Sequence, residues 1–483
     1  MRREFEGFED SGSGASAAVL LAEGAELSGV LAVDDPGGWL SLDAGVREVC
    51  WSYGPRATPL PAWEQASPLP ADLTRLGESG LALALCHRDG RIREAAIRRA
   101  GPHPALLPLI VIRCSDWAAP VRERARTLLR GALDPAIAVA LTPLILLVGR
   151  RERGGFGVEL LRDMLRQATP GQLATLFAHP DYVTRRFAYR LAAEDRRLSP
   201  AELARAAARE FDAVAQDLCA TAALAALREA GVDPADVLEP LLNARSPRVR
   251  SAGVTGLRRA GQPERAQAFL GDRSGRVRAC ARYVVRQHGG DPVAWYRARC
   301  AAPDDPRIVP GAVIGLAECQ DRADGALLRP LLVHPGDAVR GQAVAGLRVL
   351  DLADTHLLRP LLDDPAPGVV RQTTEALLPS ARQLPADWLL ERIAPERPRH
   401  VRVAAFRLLH AHGGVMALRA AAGLVHDPDV KLRTWAGQSV QRWHPSADVR
   451  PADPEVGGLL DRCKHLFSTY VLKRRKWEAG LGD

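Results

Sequence analysis

The sequence predicts an all-α chain: an α-solenoid of about twelve stacked helix pairs, closed by a small N-terminal cap containing short strands. Three observations carry this expectation. A short signature recurs at a fixed pitch, its apolar positions fall on one face of a helix, and an apolar, proline-containing helix precedes many of its copies.

The signature is an aliphatic residue, an arginine, an alanine three residues on and an apolar residue seven on. Its arginines in the second half are Arg278, Arg340, Arg371, Arg402 and Arg433, spaced by 62 and then by 31 residues; at 309 the same frame reads Ile308, Val309, Ala312 and Leu316. Arg93, Arg122, Arg185 and Arg250 carry the frame upstream, with divergent copies at Arg153 and Asp217. Repetition at a period of 20–50 residues means units that bury their apolar faces by stacking on their neighbours.

Within each unit the residue before the anchor is mostly aliphatic, as in Ile92, Val121, Val249, Val277, Val339, Val370 and Val401. Alanine recurs three residues on, at Ala96, Ala125, Ala188, Ala281, Ala312, Ala343, Ala405 and Ala436. Offsets −1, +3 and +7 are i, i+4 and i+8, one helix face, and the small middle residue admits a close neighbour. The preceding helix reads Pro240-Leu-Leu, Pro330-Leu-Leu or Pro360-Leu-Leu, and Pro143 stands ten residues before Arg153 as Pro240 does before Arg250. Proline removes a hydrogen bond, so this helix should bend or restart there. Turn and helix-start residues such as His334-Pro-Gly-Asp337 and Asp363-Asp-Pro365 separate the two helices.

The flanks read differently. Leu27–Val33, Trp39–Asp43 and Val46–Tyr53 are short apolar runs about the turn cluster Asp34-Asp-Pro-Gly-Gly38, which suggests a β-containing cap over residues 1–54. Five prolines make 55–71 a linker, the repeats occupy 72–444, and 445–483 is a second linker followed by a basic helix over 455–479 containing Lys473-Arg-Arg-Lys476 and Trp477.

Together, the Pro-Leu-Leu of the first helix, the loop aspartate and the Val-Arg-x-x-Ala of the second resemble HEAT-like repeats. The likeness is closest to the short variety named after phycobilisome lyases, and it covers residues 72–444. It implies that the anchor arginines Arg93, Arg185, Arg278, Arg340 and Arg433, with Asp89, Asp181, Asp272, Asp337 and Asp429 just upstream, form a structural ladder between units. It also implies that the second helix lines a concave surface. On that helix Arg98, Arg126, Arg130, Arg190, Arg258, Arg282, Arg286, Arg348 and Arg407 sit at offsets +4, +5 and +8, a face distinct from the aliphatic one. They are the candidate binding track, since the guanidinium fork matches carboxylates and phosphates.

Charge supports this division. The chain's net charge is +8, but residues 1–75 hold 12 acidic against 5 basic groups and residues 445–483 hold 7 basic against 6 acidic, so the repeats between them, with 53 basic against 39 acidic groups, carry +14. Only four basic residues are lysine (Lys431, Lys464, Lys473 and Lys476), an arginine bias that a GC-rich bacterial genome also produces. The Met1–Asp10 segment lacks the apolar stretch of a signal peptide, no apolar run reaches the ~20 residues of a membrane span, and eight scattered cysteines suit a reduced cytoplasm.

Catalytic signatures are missing. There is no Gly-x-Ser-x-Gly, no phosphate loop and no His-Glu-x-x-His. No His-Glu dipeptide occurs, which disfavours the iron chemistry of the HEAT-like deoxyhypusine hydroxylases, and the pair His410 and His412 points apart on a helix. The expectation is a non-catalytic scaffold without metal or cofactor that binds an acidic protein partner. The alternative is a basic groove for nucleic acid resembling the HEAT-like alkylpurine glycosylases, with Trp117, Trp295 and Trp388 as groove aromatics.

Overall fold

The computed structural model describes residues 11–32, 34–47, 61–66, 68–70, 72–446 and 449–482. The chain divides into two compact units, residues 1–244 and 245–483. Every regular element among the described residues is helical.

The first unit opens with helices Ser11–Ala22, Leu27–Val30 and Pro36–Val46. This corrects the expected strands at Leu27–Val33 and Trp39–Asp43. The turn cluster is in fact a helix start: the Asp35 carboxylate accepts the Gly38 N–H and Pro36 occupies the first turn, where its missing N–H costs nothing. Residues 48–53 of the third expected strand lie outside the described residues, and Val46 ends a helix. The first and third of these helices touch at glycines. A Cβ on Gly14 would lie 2.0 Å from the Ser41 carbonyl oxygen, and one on Gly45 would lie 2.3 Å from the Gly14 backbone. Two indole N–H groups fasten the cap, Trp39 to the Ala32 carbonyl at 2.9 Å and Trp63 to the Val46 carbonyl at 3.0 Å.

Helix pairs follow: Glu78–Cys86 with Gly90–Ala100, Leu107–Arg113 with Ala119–Ala132, Pro135–Val148 with Gly155–Arg166, Pro170–Phe177 with Tyr182–Glu194, and Pro200–Arg209 with Ala213–Ala225. The second unit carries the anchor helices Pro247–Arg259, Gly275–Gln287, Pro310–Ala317, Asp337–Val349, Pro367–Leu377, Arg399–His412 and Val430–Arg442. The alanines at offset +3 are sealed: Ala96, Ala125, Ala281, Ala312, Ala343 and Ala436 expose no surface, and Val121, Val249, Val277, Val370 and Leu432 beside them are buried. A thin aliphatic seam suits such stacking, because each added helix layer covers the one before it.

The prolines act in two ways. Pro143 and Pro240 stand inside helices Pro135–Val148 and Pro234–Leu242. Pro330 and Pro360 instead fall where single-turn helices Gly325–Leu328 and Thr355–Leu358 give way to 3₁₀ turns. A turn and a half or more of prior helix tolerates the lost bond; a single turn does not.

At the other end, the single helix expected over 455–479 is two, Pro454–Arg462 and Thr469–Glu478. Ser468 starts the second by accepting the Val471 N–H, a cap the basic run had obscured. That helix buries none of its own residues and exposes Tyr470 and Trp477.

Candidate binding surface

The anchor arginine divides its donors between two loops. Its Nη1 turns back to the carbonyl six residues upstream: Arg93 to His87, Arg122 to Asp116, Arg185 to His179, Arg278 to Asp272, Arg340 to His334 and Arg433 to Asp427. In four anchors the Nε and Nη2 edge forks onto a carboxylate in a following loop, whereas Arg122 Nε meets the adjacent Glu123 at 3.3 Å. Arg93 takes Asp116 at 2.9 and 2.8 Å, Arg185 takes Glu210 at 3.0 and 3.0 Å, Arg250 takes Asp272 at 2.9 and 2.9 Å, and Arg340 takes Asp364 at 2.8 and 2.9 Å. Arg402 pairs with Asp427 through Nη2 and gives its Nε to the Ile393 carbonyl. Each of these carboxylates also accepts a backbone N–H at the start of its own loop: Ala118 on Asp116, Asp212 on Glu210, Ser274 on Asp272, Ala366 on Asp364 and Asp429 on Asp427.

The upstream aspartates named from the sequence do other work. Asp89, Asp181 and Asp429 cap their helices, accepting from Arg91, from Val183 and Thr184, and from Lys431 and Leu432. Asp337 accepts the N–H of Ala338, and the Asp272 carboxylate receives Arg250, Arg278 reaching only the Asp272 carbonyl. The partners that sequence reasoning missed are Asp116, Glu210, Asp364 and Asp427, which lie 23 to 25 residues after their arginines. Their signal was an acid two residues before the capping position, repeated with the period of the array. Also missed was the buried cluster where Arg113 bridges Asp116 at 3.0 Å to Asp43 of the cap, and Arg47 meets Asp43 at 3.0 Å.

Arg278 departs from the pattern. Residues 300–303 read Cys-Ala-Ala-Pro and offer no carboxylate. Its fork reaches instead to Glu318, at the end of helix Pro310–Ala317, with Nε at 3.1 Å. Glu318 also takes Arg282 Nη1 at 2.6 Å. Burial by itself would raise the Glu318 carboxyl, but the hydrogen bonds from Arg278 and Arg282 outweigh it and hold the group below the usual carboxylate range.

The track arginines fall into two classes. In the first unit Arg98 pairs with Glu94 at 2.7 Å, while Arg126 and Arg130 flank the Phe156 ring, each 5.0 Å from its centre. In the second, Arg258 lies over Tyr283 at 5.9 Å and Arg282 is held by Glu318. Arg190 in the first unit and Arg286, Arg348 and Arg407 in the second are exposed and make no hydrogen bond or ion pair among the described residues. Arg282 and Arg286 line a recess of about 370 Å³ together with Ala279, Tyr283, Gln287, Glu318, Cys319 and Gln320. Of the three tryptophans, Trp117 is exposed, whereas Trp295 and Trp388 are half-buried beneath Arg299 and Arg392.

Burial drives the Cys114, Cys219 and Cys300 thiols up to about 12, so they are not poised as thiolates. No cluster of three metal-ligating side chains occurs among the described residues, and none of their helices is long and apolar enough to cross a membrane.

One loop is acid-sensitive. His87 Nδ1 accepts the Asp89 N–H at 2.9 Å, which requires that nitrogen to be unprotonated. Burial lowers the His87 pKa, and the opposing pull of the Glu64 carboxylate does not restore it. Its contribution to stability is therefore complete above the ordinary histidine value of about 6.5 and is lost as the pH falls through the lower folded value. His87→Gln should flatten the loss of thermal stability in that window. It should leave the more acidic loss intact, where carboxylates such as Asp212 protonate; the Arg186 fork holds Asp212 down to about 2. An unchanged pH slope just below the ordinary histidine value in melts of His87→Gln would refute this assignment.

No family model matches the chain, and no curated protein matches it. Among solved structures, Kap121p bound to Pho4p aligns at 13% identity with a TM-score of 0.28, covering 89% of this chain and 53% of that one. A structure of tubulin recruitment and assembly by microtubule polymerases with TOG domain arrays aligns at 11% identity with a TM-score of 0.23, covering 74% of this chain and 99% of that one. The chain thus spans about half the length of the Kap121p chain it matches. A likeness at this level establishes neither common ancestry nor a shared partner.

Proposed function

We propose that the chain is a non-catalytic, HEAT-like repeat scaffold that binds an acidic protein partner through the arginine faces of its second helices. One observation carries the reading. The anchor arginines are largely committed to loop carbonyls and carboxylates, whereas Arg190, Arg286, Arg348 and Arg407 recur at fixed helical offsets, exposed and without an ionic partner. An unpaired guanidinium in water keeps its full donor fork for an incoming carboxylate. On this reading the anchor arginines are structural and set the register of successive units, while the outward arginines steer and hold the partner.

The test is fluorescence anisotropy with a labelled peptide of Asp and Glu, beside labelled single-stranded and duplex DNA at the same ionic strength. The wild type should bind the peptide. Changing Arg190, Arg286, Arg348 and Arg407 together to Glu should weaken that binding by about a hundredfold without changing the helical circular dichroism, since each residue is exposed. Tighter binding to DNA, with a steep salt dependence, would transfer the surface to nucleic acid.

A further inference from the structure

We propose that the recess between the C-terminal turn of helix Gly275–Gln287 and the end of helix Pro310–Ala317 is the anchoring pocket for a pair of acidic side chains on the partner. The proposal rests on the scaffold reading above and assigns it a definite site. The pocket exists because of a local departure in the repeat. Without a carboxylate at 300–303, Arg278 turns to Glu318, and Glu318 also holds Arg282 on the wall of the recess. One carboxylate thereby holds two guanidinium groups, leaving that trio with a net charge of +1. Arg286, one turn beyond Arg282 and exposed, adds a second positive charge with no partner.

The walls suit a carboxylate ligand. Gln287 and Gln320 are exposed at the lining and bring amide donors to it. Tyr283 is 49% exposed and lends the recess an aromatic wall, with Arg258 lying over its ring at 5.9 Å. A recess of about 370 Å³ is larger than one acidic side chain needs, and its charge matches two. Tyrosine and arginine set around a concavity are the residue types that dominate binding energy at protein interfaces. The other unpaired track arginines, Arg190, Arg348 and Arg407, line neither this recess nor those at Trp443 and Trp117.

The Asp/Glu peptide is again the probe, read by anisotropy against single substitutions. Arg286→Ala and Tyr283→Ala should each weaken binding by roughly tenfold or more, whereas Arg348→Ala and Arg407→Ala should each change it less than about threefold. All four positions are exposed, so thermal melts should match the wild type. If the wild type binds but the four variants weaken equally, the pocket is refuted while the acidic-partner reading stands. If the wild type does not bind the peptide, whether or not it binds DNA, both fall. Arg286→Lys keeps the charge without the planar fork; full affinity in that variant would overturn the forked contact assigned to Arg286.

Discussion

Arg93→Ala should cost about 3–5 kcal/mol of folding stability, measured as a shift of the urea midpoint at constant slope. The Arg93 side chain is fully enclosed and Asp116 opposite it is 1% exposed. The substitution removes the fork onto Asp116 and the bonds to the His87 and Arg88 carbonyls, and it leaves a carboxylate buried with only Arg113 and one backbone N–H. The penalty comes mainly from that stranded charge and those carbonyls, not from the worth of the pair in isolation. Arg371→Ala is the matched control. It occupies the same register position, is exposed and has no carboxylate partner among the described residues, so its effect should stay within about 0.5 kcal/mol. Equal losses at the two positions would show that the signature, not the buried fork, sets the energetics.

Gly311→Ala should destabilise the second unit by about 1–3 kcal/mol, and Gly311→Val by more. A Cβ at this position would lie 2.1 Å from the Gly271 carbonyl oxygen and 2.8 Å from that of Asp272. Both neighbours are backbone, so relief requires helix Pro310–Ala317 to move off the loop that carries Asp272. That loop receives both Arg250 and Arg278, which turns a steric fault into an electrostatic one. Gly368→Ala separates this from a general effect of replacing helical glycine. Nothing lies within 4 Å of its Cβ, and it should be neutral or slightly stabilising in the same thermal melt. A Gly311→Ala protein as stable as the wild type would mean that the two segments do not approach as closely as described.

Periodicity made the helices of the array legible, because the sealed alanines and the aliphatic residues before each anchor repeat on one face. Two things escaped. The cap was misread because Asp35-Pro36 serves equally as a turn and as an N-cap with its first-turn proline, and only packing of Gly14 against Gly45 decides between them. The ionic partners escaped because a local window pairs Arg93 with Asp89, four residues away, when the fork reaches 23 residues forward to Asp116. The recess at Arg286 was visible only as a helix face; its far wall is Glu318, held by Arg278 from 40 residues away.

The division of each anchor arginine between its own loop and a later one bears on how such an array can lengthen. A regular unit carries a donor for its successor and a carboxylate for its predecessor, so a unit duplicated whole presents both halves of a joint to its neighbours and strands no charge. Growth by copying is then electrostatically neutral, and so is loss of an entire unit. A unit that loses only its acid has no such freedom. The stretch between Arg278 and Glu318 has the form such a case would take: a donor whose carboxylate lies farther along the chain, with a cleft beside it.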